Sequence, residues 1–158
     1  MKLWMAPAGL HVEPATVQDT AQMARLHAAA FYRGWPREDF EAYVLGDDTP
    51  ALVACDPGRR IAGFAMLRLA GDECELITIV VDPRLRGRGV GQALLRAAFD
   101  DLMMTPARRM FLEVDEFNAA AIRLYKGLGF VEVGRRQGYY PRQDGTAATA
   151  IVMRRDLG

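Results

Sequence analysis

Cysteine is nearly missing from this chain. Only Cys55 and Cys74 occur in 158 residues, and they do not form a CxxC pair. A disulfide framework and a zinc site of the usual spacing are thereby excluded, and two reduced, buried thiols are expected. Histidine is as scarce: His11 and His27 have no partner at metal-ligand spacing, so no metal is expected. Net charge is absent as well, at +0, which removes bulk attraction to nucleic acid. No apolar run approaches the roughly 20 residues of a membrane span, and Met1 to Leu10 lacks the apolar core of a signal peptide. A cytoplasmic protein with no membrane partner is the expectation. Repeats, low-complexity segments and compositional breaks are also missing, so residues 1–158 read as one domain, with 1–9 as an amino-terminal extension. The oligomeric state is not legible, and a monomer is compatible with everything seen.

What is present is a regular alternation of strands and helices. Leu10 to Pro14 reads as a strand, and Thr16 with Asp19 gives a capping-box start to a helix. On that helix Val17, Ala21, Ala24, Ala28 and Phe31 form one apolar stripe. Gly34-Trp35-Pro36 breaks it, and a second helix carries Phe40, Tyr43 and Val44 as far as Gly46. Ala51 to Cys55, Ile61 to Leu69 and Glu73 to Val81 follow as strands, the last two apolar on both faces. A helix from Val90 to Met104 presents Gly91, Leu94, Leu95, Ala98, Phe99 and Leu102 inward. Met110 to Val114 is a strand, and Asn118 caps a helix with Ala121, Leu124, Tyr125 and Leu128 on one side. Phe130 to Val133 and Ala147 to Arg154 close the chain as strands around a polar loop, Gly134 to Gly145. This order predicts an α/β domain on a mixed sheet.

The stretch from Val80 to Gln92 stands out. A buried strand turns at Asp82-Pro83 and passes through Arg84, Arg86, Gly87, Arg88 and Gly89 into a helix at Val90. Free backbone N–H groups at a helix N-terminus suit a phosphate. Glycines let backbone approach the anion, and the arginines add charge. A GxxxxGK[ST] loop is not there, nor is GxGxxG, so neither a P-loop nucleotidase nor a dinucleotide fold is supported.

Thr78 to Pro83 followed by Arg86-Gly87-Arg88-Gly89-Val90-Gly91 resembles the acetyl-CoA motif of the GNAT acetyltransferase superfamily, R/Q-x-x-G-x-G/A. Leu112-Glu113-Val114, Asn118-Ala119-Ala120-Ala121, Leu124-Tyr125 and Leu128-Gly129-Phe130 continue that resemblance from about Leu10 to Met153. The Leu-Glu-Val, Asn-Ala-Ala-Ala and Tyr-Tyr-Pro segments are most similar to the branch that acetylates the N-terminal alanine of a small-subunit ribosomal protein. The resemblance implies a mostly antiparallel sheet of about seven strands with about four helices, splayed between the fourth and fifth strands. It implies acetyl-CoA as cosubstrate, its pantetheine arm on the backbone of Ile79, Val80 and Val81. Its pyrophosphate would lie on Arg86, Gly87, Arg88, Gly89, Val90, Gly91 and Gln92, with Asn118 as a further contact. Gly87 departs from the family, where a polar residue is commoner.

The chemistry needs a base, because an α-amine of pKa near 8 is partly protonated in the cell. The resemblance assigns that role to Glu113 and the general-acid role to Tyr125. By residue type alone, Glu113 is equally a solvent-facing strand residue and Tyr125 a core aromatic. Glu75, sharing strand parity with Ile77, Ile79 and Val81, is the rival base or an amine contact. Tyr139 and Tyr140, in the closing loop, and Trp35 would wall a groove for a peptide terminus. Arg135 and Arg136 would repel a basic acceptor unless acidic groups offset them. Three functions remain open here: acetylation of a protein N-terminus, with a ribosomal protein as the acceptor that the resemblance implies; acetylation of a small amine or lysine side chain; and a non-enzymatic acetyl-CoA sensor.

Overall fold

The computed structural model describes residues 3–31, 34–141 and 144–158, and only the backbone of residues 139–141. Its strands are β1 (Trp4–Met5), β2 (His11–Pro14), β3 (Ala51–Cys55), β4 (Ile61–Ala70), β5 (Glu73–Val81), β6 (Arg109–Asp115), β7 (Val131–Pro141) and β8 (Ala147–Asp156). The helices are α1 (Thr20–Ala30), α2 (Arg37–Leu45), α3 (Val90–Leu102) and α4 (Ala119–Gly127). The strands form one eight-stranded sheet in the order β1-β2-β3-β4-β5-β6-β8-β7. Every pairing is antiparallel except β5 with β6, which α3 connects as a parallel crossover. No helix among the described residues is long and apolar enough to cross a membrane.

The sheet separates two apolar cores. One holds Leu94, Leu95 and Leu102 of α3, Tyr125 and Leu128 near α4, and Leu67, Leu76, Leu112 and Met153 of the sheet. The other holds Met23 of α1, Phe40 of α2, and Val53, Phe64, Met66 and Val80. Phe40 meets Phe64 edge to face at 5.7 Å between ring centroids, the favourable aromatic geometry. Thus α3 and α4 cover one face of the sheet, and α1 and α2 cover part of the other.

Several expectations are corrected. The sheet has eight strands, not about seven, because Trp4–Met5 pairs with Val12 and His11. The Trp4 indole donates to Asp100 of α3 at 2.8 Å, tying β1 to the helix behind the loop. On α1 the buried residues are Thr20, Met23 and His27, whereas Val17 and Phe31 are exposed. Small alanines pack on either side of a helix, so they did not fix its phase; the large Met23 does. His27 lies between the rings of Phe31 and Trp35, at 4.4 and 4.6 Å. Burial pushes its pKa down to about 4, which keeps it neutral. Helix α3 ends at Leu102, two residues before the expected Met104.

The polar loop expected at Gly134 to Gly145 is largely strand. β7 runs to Pro141 and pairs with β8, with register shifts between Glu132 and Gly134 and between Arg136 and Tyr140. Those irregularities erase the period-two pattern, and the glycines at 134 and 138 read as turn residues. Tyr140 and Pro141 lie opposite Ala148 and Ala147.

His11, Glu13 and Cys55 also come together, although their sequence spacing gives no hint of it. His11 faces Cys55 across the β2–β3 pair, and its Nε2 lies 2.6 Å from Glu13 Oε2. Arg59 bonds the other oxygen of Glu13 and reaches Asp19 at 2.8 Å. Burial, with Asp19 and Asp56, pushes the Cys55 thiol up to about 11. The buried carboxylates are thus satisfied by a guanidinium and an imidazole beside a neutral thiol.

Candidate active site

The site is built where β5 and β6 part. Glu73, Cys74 and Glu75 pair with Arg109, Met110 and Phe111, and the pairing stops there. Beyond Glu75 that edge of β5 keeps backbone N–H and C=O groups without a strand partner. In the observed numbering the splay lies between the fifth and sixth strands, the same gap that the resemblance implied.

A second feature sets which side chains face the gap. Met66 pairs with Thr78 but Leu67 pairs with Leu76, so Ile77 is an extra residue, a bulge. It reverses the alternation of β5. Glu75 lies opposite Arg68, and Thr78 opposite Met66, on the face of α1 and α2. Ile79 and Val81 pack instead with the core of α3 and α4. The shared parity of Glu75, Ile79 and Val81 is therefore wrong: a bulge cannot be read without the partner strand. Nor is β5 covered on both faces, since Glu75, Ile77, Ile79 and Val81 are only half-buried.

Glu113 lies on β6 between the buried Leu112 and Val114, so its side chain takes the other face, the one that α3 and α4 leave free. There it borders a pocket of about 300 Å³ lined also by Arg68, Glu75, Phe111 and Arg136. Arg136 Nε lies 3.3 Å from Glu113 Oε1, and Arg68 donates to Glu75 at 2.6 Å. Arg135 is taken up by Glu132 at 2.7 Å and Glu116 at 3.4 Å. The acidic groups that would offset the two arginines are present. Glu75 and Glu113, the rival bases, share one pocket on opposite sides of the split.

Tyr125 is buried at 6 % exposure and stands edge-on to Phe130 at 5.8 Å. Burial pushes its phenol up to about 12, so it keeps its proton at neutral pH. Among the described residues the only sealed side-chain polar atom without a partner is Thr78 Oγ1.

The loop after β5 starts with a 3-10 turn, Pro83–Leu85, under Asp82. Arg84 is folded back on Asp82 at 3.0 Å, and this hydrogen bond holds the Asp82 carboxyl below its ordinary value. Arg84, Arg86 and Arg88 are all exposed, but only Arg84 of the three is turned onto Asp82. Gly87 and Gly89 have φ of +77° and +87°, the left-handed region that disfavours other residues. Gly89 is the N-cap of α3, so the N–H groups of Val90, Gly91 and Gln92 have no helical partner. Val90 itself is buried and can offer an anion only its backbone.

Gly91 has a different reason to be glycine. A Cβ there would stand 3.2 Å from Leu124 Cδ2 and 3.8 Å from Val81 Cγ2. The missing Cβ of Gly91 also makes room for α4. Asn118 Oδ1 accepts from the Ala121 N–H at 3.2 Å, which aims the side chain at the helix start and leaves its amide NH₂ able to donate to a ligand. A groove of about 590 Å³ borders the loop on its other side, between Trp4, Pro7, Arg88 and Arg96.

Trp35 is half-buried, its backbone N–H donating to His27 Nδ1 at 3.3 Å and its ring stacked 5.8 Å from Tyr43. It follows from these contacts that Trp35 belongs to an aromatic cluster between α1 and α2. The side chains of Tyr139 and Tyr140 lie outside the described residues. Sequence reasoning missed Arg68, which lines the pocket beside Glu75; only the pairing of β4 with β5 brings it there.

Comparison with known proteins agrees with this geometry. The family model for the acetyltransferase (GNAT) family matches residues 20–130. The chain is 43 % identical over 94 residues to the [ribosomal protein bS18]-alanine N-acetyltransferase of Escherichia coli K12, a stretch covering 60 % of this chain and 63 % of that enzyme. The chain thus spans just under two thirds of that relative's length. It is 36 % identical over 157 residues to the N-alpha-acetyltransferase RimI of Mycobacterium tuberculosis, covering 92 % of this chain and 95 % of the relative. The crystal structure of the ribosomal-protein-S18-alanine N-acetyltransferase of Escherichia coli superposes with a TM-score of 0.85 at 31 % identity, over 94 % of each chain. With its split sheet, its phosphate-type loop and these matches, the chain belongs to the acetyltransferase (GNAT) family.

Proposed function

We propose that this protein transfers the acetyl group of acetyl-CoA to the α-amine of a protein N-terminus, the N-terminal alanine of a small-subunit ribosomal protein being the acceptor that its relatives support. The observation that carries the reading is the placement of Glu113 in a pocket at the split between β5 and β6, with the anion-binding loop at the far end of β5. Acetyl-CoA supplies a thioester, an acyl group already activated toward an amine. The N–H groups of Val90, Gly91 and Gln92 hold the pyrophosphate, helped by the charges of Arg86 and Arg88. Gly87 and Gly89 supply the turn, and Asn118 adds a contact from the N-terminus of α4. The open edge of β5 over Ile79, Val80 and Val81 binds the pantetheine amides and offers N–H donors to the oxygen that gains charge.

Glu113 accepts the proton of the incoming ammonium, directly or through one water. Glu75, on the other side of the same pocket, helps hold that cation. Tyr125 donates its O–H to the departing sulfur. Its pKa of about 12 makes full proton transfer to a thiolate of ordinary pKa near 8.5 uphill. The phenol therefore acts mainly as a hydrogen-bond donor. The second amine proton, shed as the C–S bond breaks and the amide forms, goes to the departing sulfur, and the effect of removing Tyr125 is bounded. Tyr125→Phe is expected to lower kcat about 10- to 100-fold, the loss of one or two such units of 1.4 kcal/mol, with unchanged melting temperature. Unchanged kcat in single-turnover assays would remove Tyr125 from the reaction.

The function itself is tested by turnover with a panel of acceptors. Peptides beginning with alanine are expected to be acetylated at least tenfold faster, in kcat/KM, than free amines or lysine peptides. Preference for free amines would replace the protein acceptor by a small molecule. Thermal stabilisation by CoA with no turnover of any amine would instead support the sensor.

A further inference from the structure

We propose that Arg136 is a positioning residue for the reaction, the guanidinium that holds the Glu113 carboxylate in place as the base; this rests on the acetyl-transfer reading above. Arg136 Nε lies 3.3 Å from Glu113 Oε1, and both side chains line the pocket at the split. Neither is sealed: the side chains are 56 % and 23 % exposed, so solvent reaches both. Among the described residues Arg136 is the one charged group paired with Glu113. In the sequence Arg136 is simply the second of two adjacent arginines, and nothing there distinguishes it from Arg135.

A bulge in β7 separates the two arginines. Glu132 pairs with Met153 but Gly134 pairs with Val152, so Val133 is an extra residue and reverses the alternation of the strand. Without it Arg135 would share the face of Val152. With it Arg135 lies opposite Ile151, in the core of α3 and α4, and is taken up by Glu132 and Glu116. Arg136 moves to the face of Val152 and Glu113, which are partners on the β6–β8 ladder. Across Val152 from Glu113 stands Gly134, which has no side chain. The guanidinium comes in from the next residue on that face. A bulge that re-aims a side chain is a common device beside an active site. The chemistry has a use for this one. A base must keep a lone pair aimed at the ammonium, and a glutamate without a partner loses that aim to its rotamer freedom. Arg136 takes Oε1 and leaves Oε2 to accept the proton. It cannot intercept the proton itself, because an arginine side chain stays protonated throughout.

The test is a double-mutant cycle of Arg136→Ala with Glu113→Gln, measured with an alanine-initiated peptide and acetyl-CoA varied separately. Arg136→Ala alone is expected to lower kcat about tenfold, with the KM for each substrate within about twofold. Its melting temperature is expected to stay the same, because an exposed pair stabilises little. In the Glu113→Gln background the same substitution is expected to change kcat by less than about twofold, since no base is left to position. A kcat for Arg136→Ala within about twofold of wild type, or above it, would overturn the assignment. So would a loss that persists undiminished in the Glu113→Gln background, or one confined to the KM of the acceptor, which would make Arg136 a substrate contact. Unchanged kcat in Glu113→Gln alone would remove the base, and the role of Arg136 with it. If the wild-type chain prefers a small amine, the protein acceptor is wrong and the cycle, run with that amine, decides in the same way. If it acetylates nothing, acetyl transfer itself fails and this role fails with it.

Discussion

Glu113→Gln is expected to lower kcat with an alanine-initiated peptide by about 100- to 10,000-fold, the range of a lost general base, with the KM for acetyl-CoA within about twofold. Glutamine keeps the shape of the side chain and removes only its charge and basicity. The fold should hardly register the change. Glu113 is 23 % exposed and its partner Arg136 56 % exposed in their side chains, and pairs of that kind contribute about 0–1 kcal/mol. The pH profile separates basicity from mere geometry. An α-amine of pKa near 8 is about one tenth neutral at pH 7, so raising the pH can restore at most about tenfold to the variant. A deficit of at least tenfold should therefore persist at pH 9. Retention of kcat within about threefold would move the base to Glu75, whose own glutamine variant would then carry the large loss.

The structure accounts for which parts of this site were legible beforehand. Local signals survived: the capping box at Thr16 and Asp19, the Asn118 cap, the inward stripe of α3 and the glycine loop are all set by residues within one or two turns of each other. Glu113 could be placed on a strand because Met110, Leu112 and Val114 alternate with it. What could not be read depends on a partner strand. The Ile77 bulge exists only relative to β4, and it decides the faces of Glu75 and Thr78. The length of β7 depends on β8, which tolerates two register shifts and so turns a glycine-containing polar stretch into strand. Trp4–Met5 is too short to announce itself and is held by β2 and by Asp100. The reason for Gly91 was missed because it lies in α4, more than thirty residues away in sequence.

That difference between the glycines gives the second large effect. Gly89→Val is expected to weaken CoA binding about 100-fold or more. At φ of +87° an L-residue costs about 1–2 kcal/mol, and a β-branched one more. Its Cβ would also stand 3.4 Å from Pro7 Cγ. The N-cap must change conformation, and the N–H groups of Val90, Gly91 and Gln92 then swing off the pyrophosphate. Each such charge-assisted bond contributes about 1.5–3 kcal/mol, so loss of one or two accounts for the expected change. Because α3 keeps its buried face, the melting temperature of free protein should fall only modestly. Gly91→Val is expected to behave differently. A Cβ already 3.2 Å from Leu124, extended by two methyl groups, forces α4 away from α3 and costs about 1–3 kcal/mol in overpacking. Because Tyr125 rides on α4 next to Leu124, stability and kcat should fall together with affinity. Arg88→Ala removes one exposed charge and should weaken CoA only a few-fold, an effect that vanishes at high salt. Calorimetric titration of CoA into the three variants at low and high salt, with their melting temperatures, distinguishes these outcomes. Equal affinity losses in all three, each abolished by salt, would mean that side-chain charge and not the backbone of the loop holds the pyrophosphate.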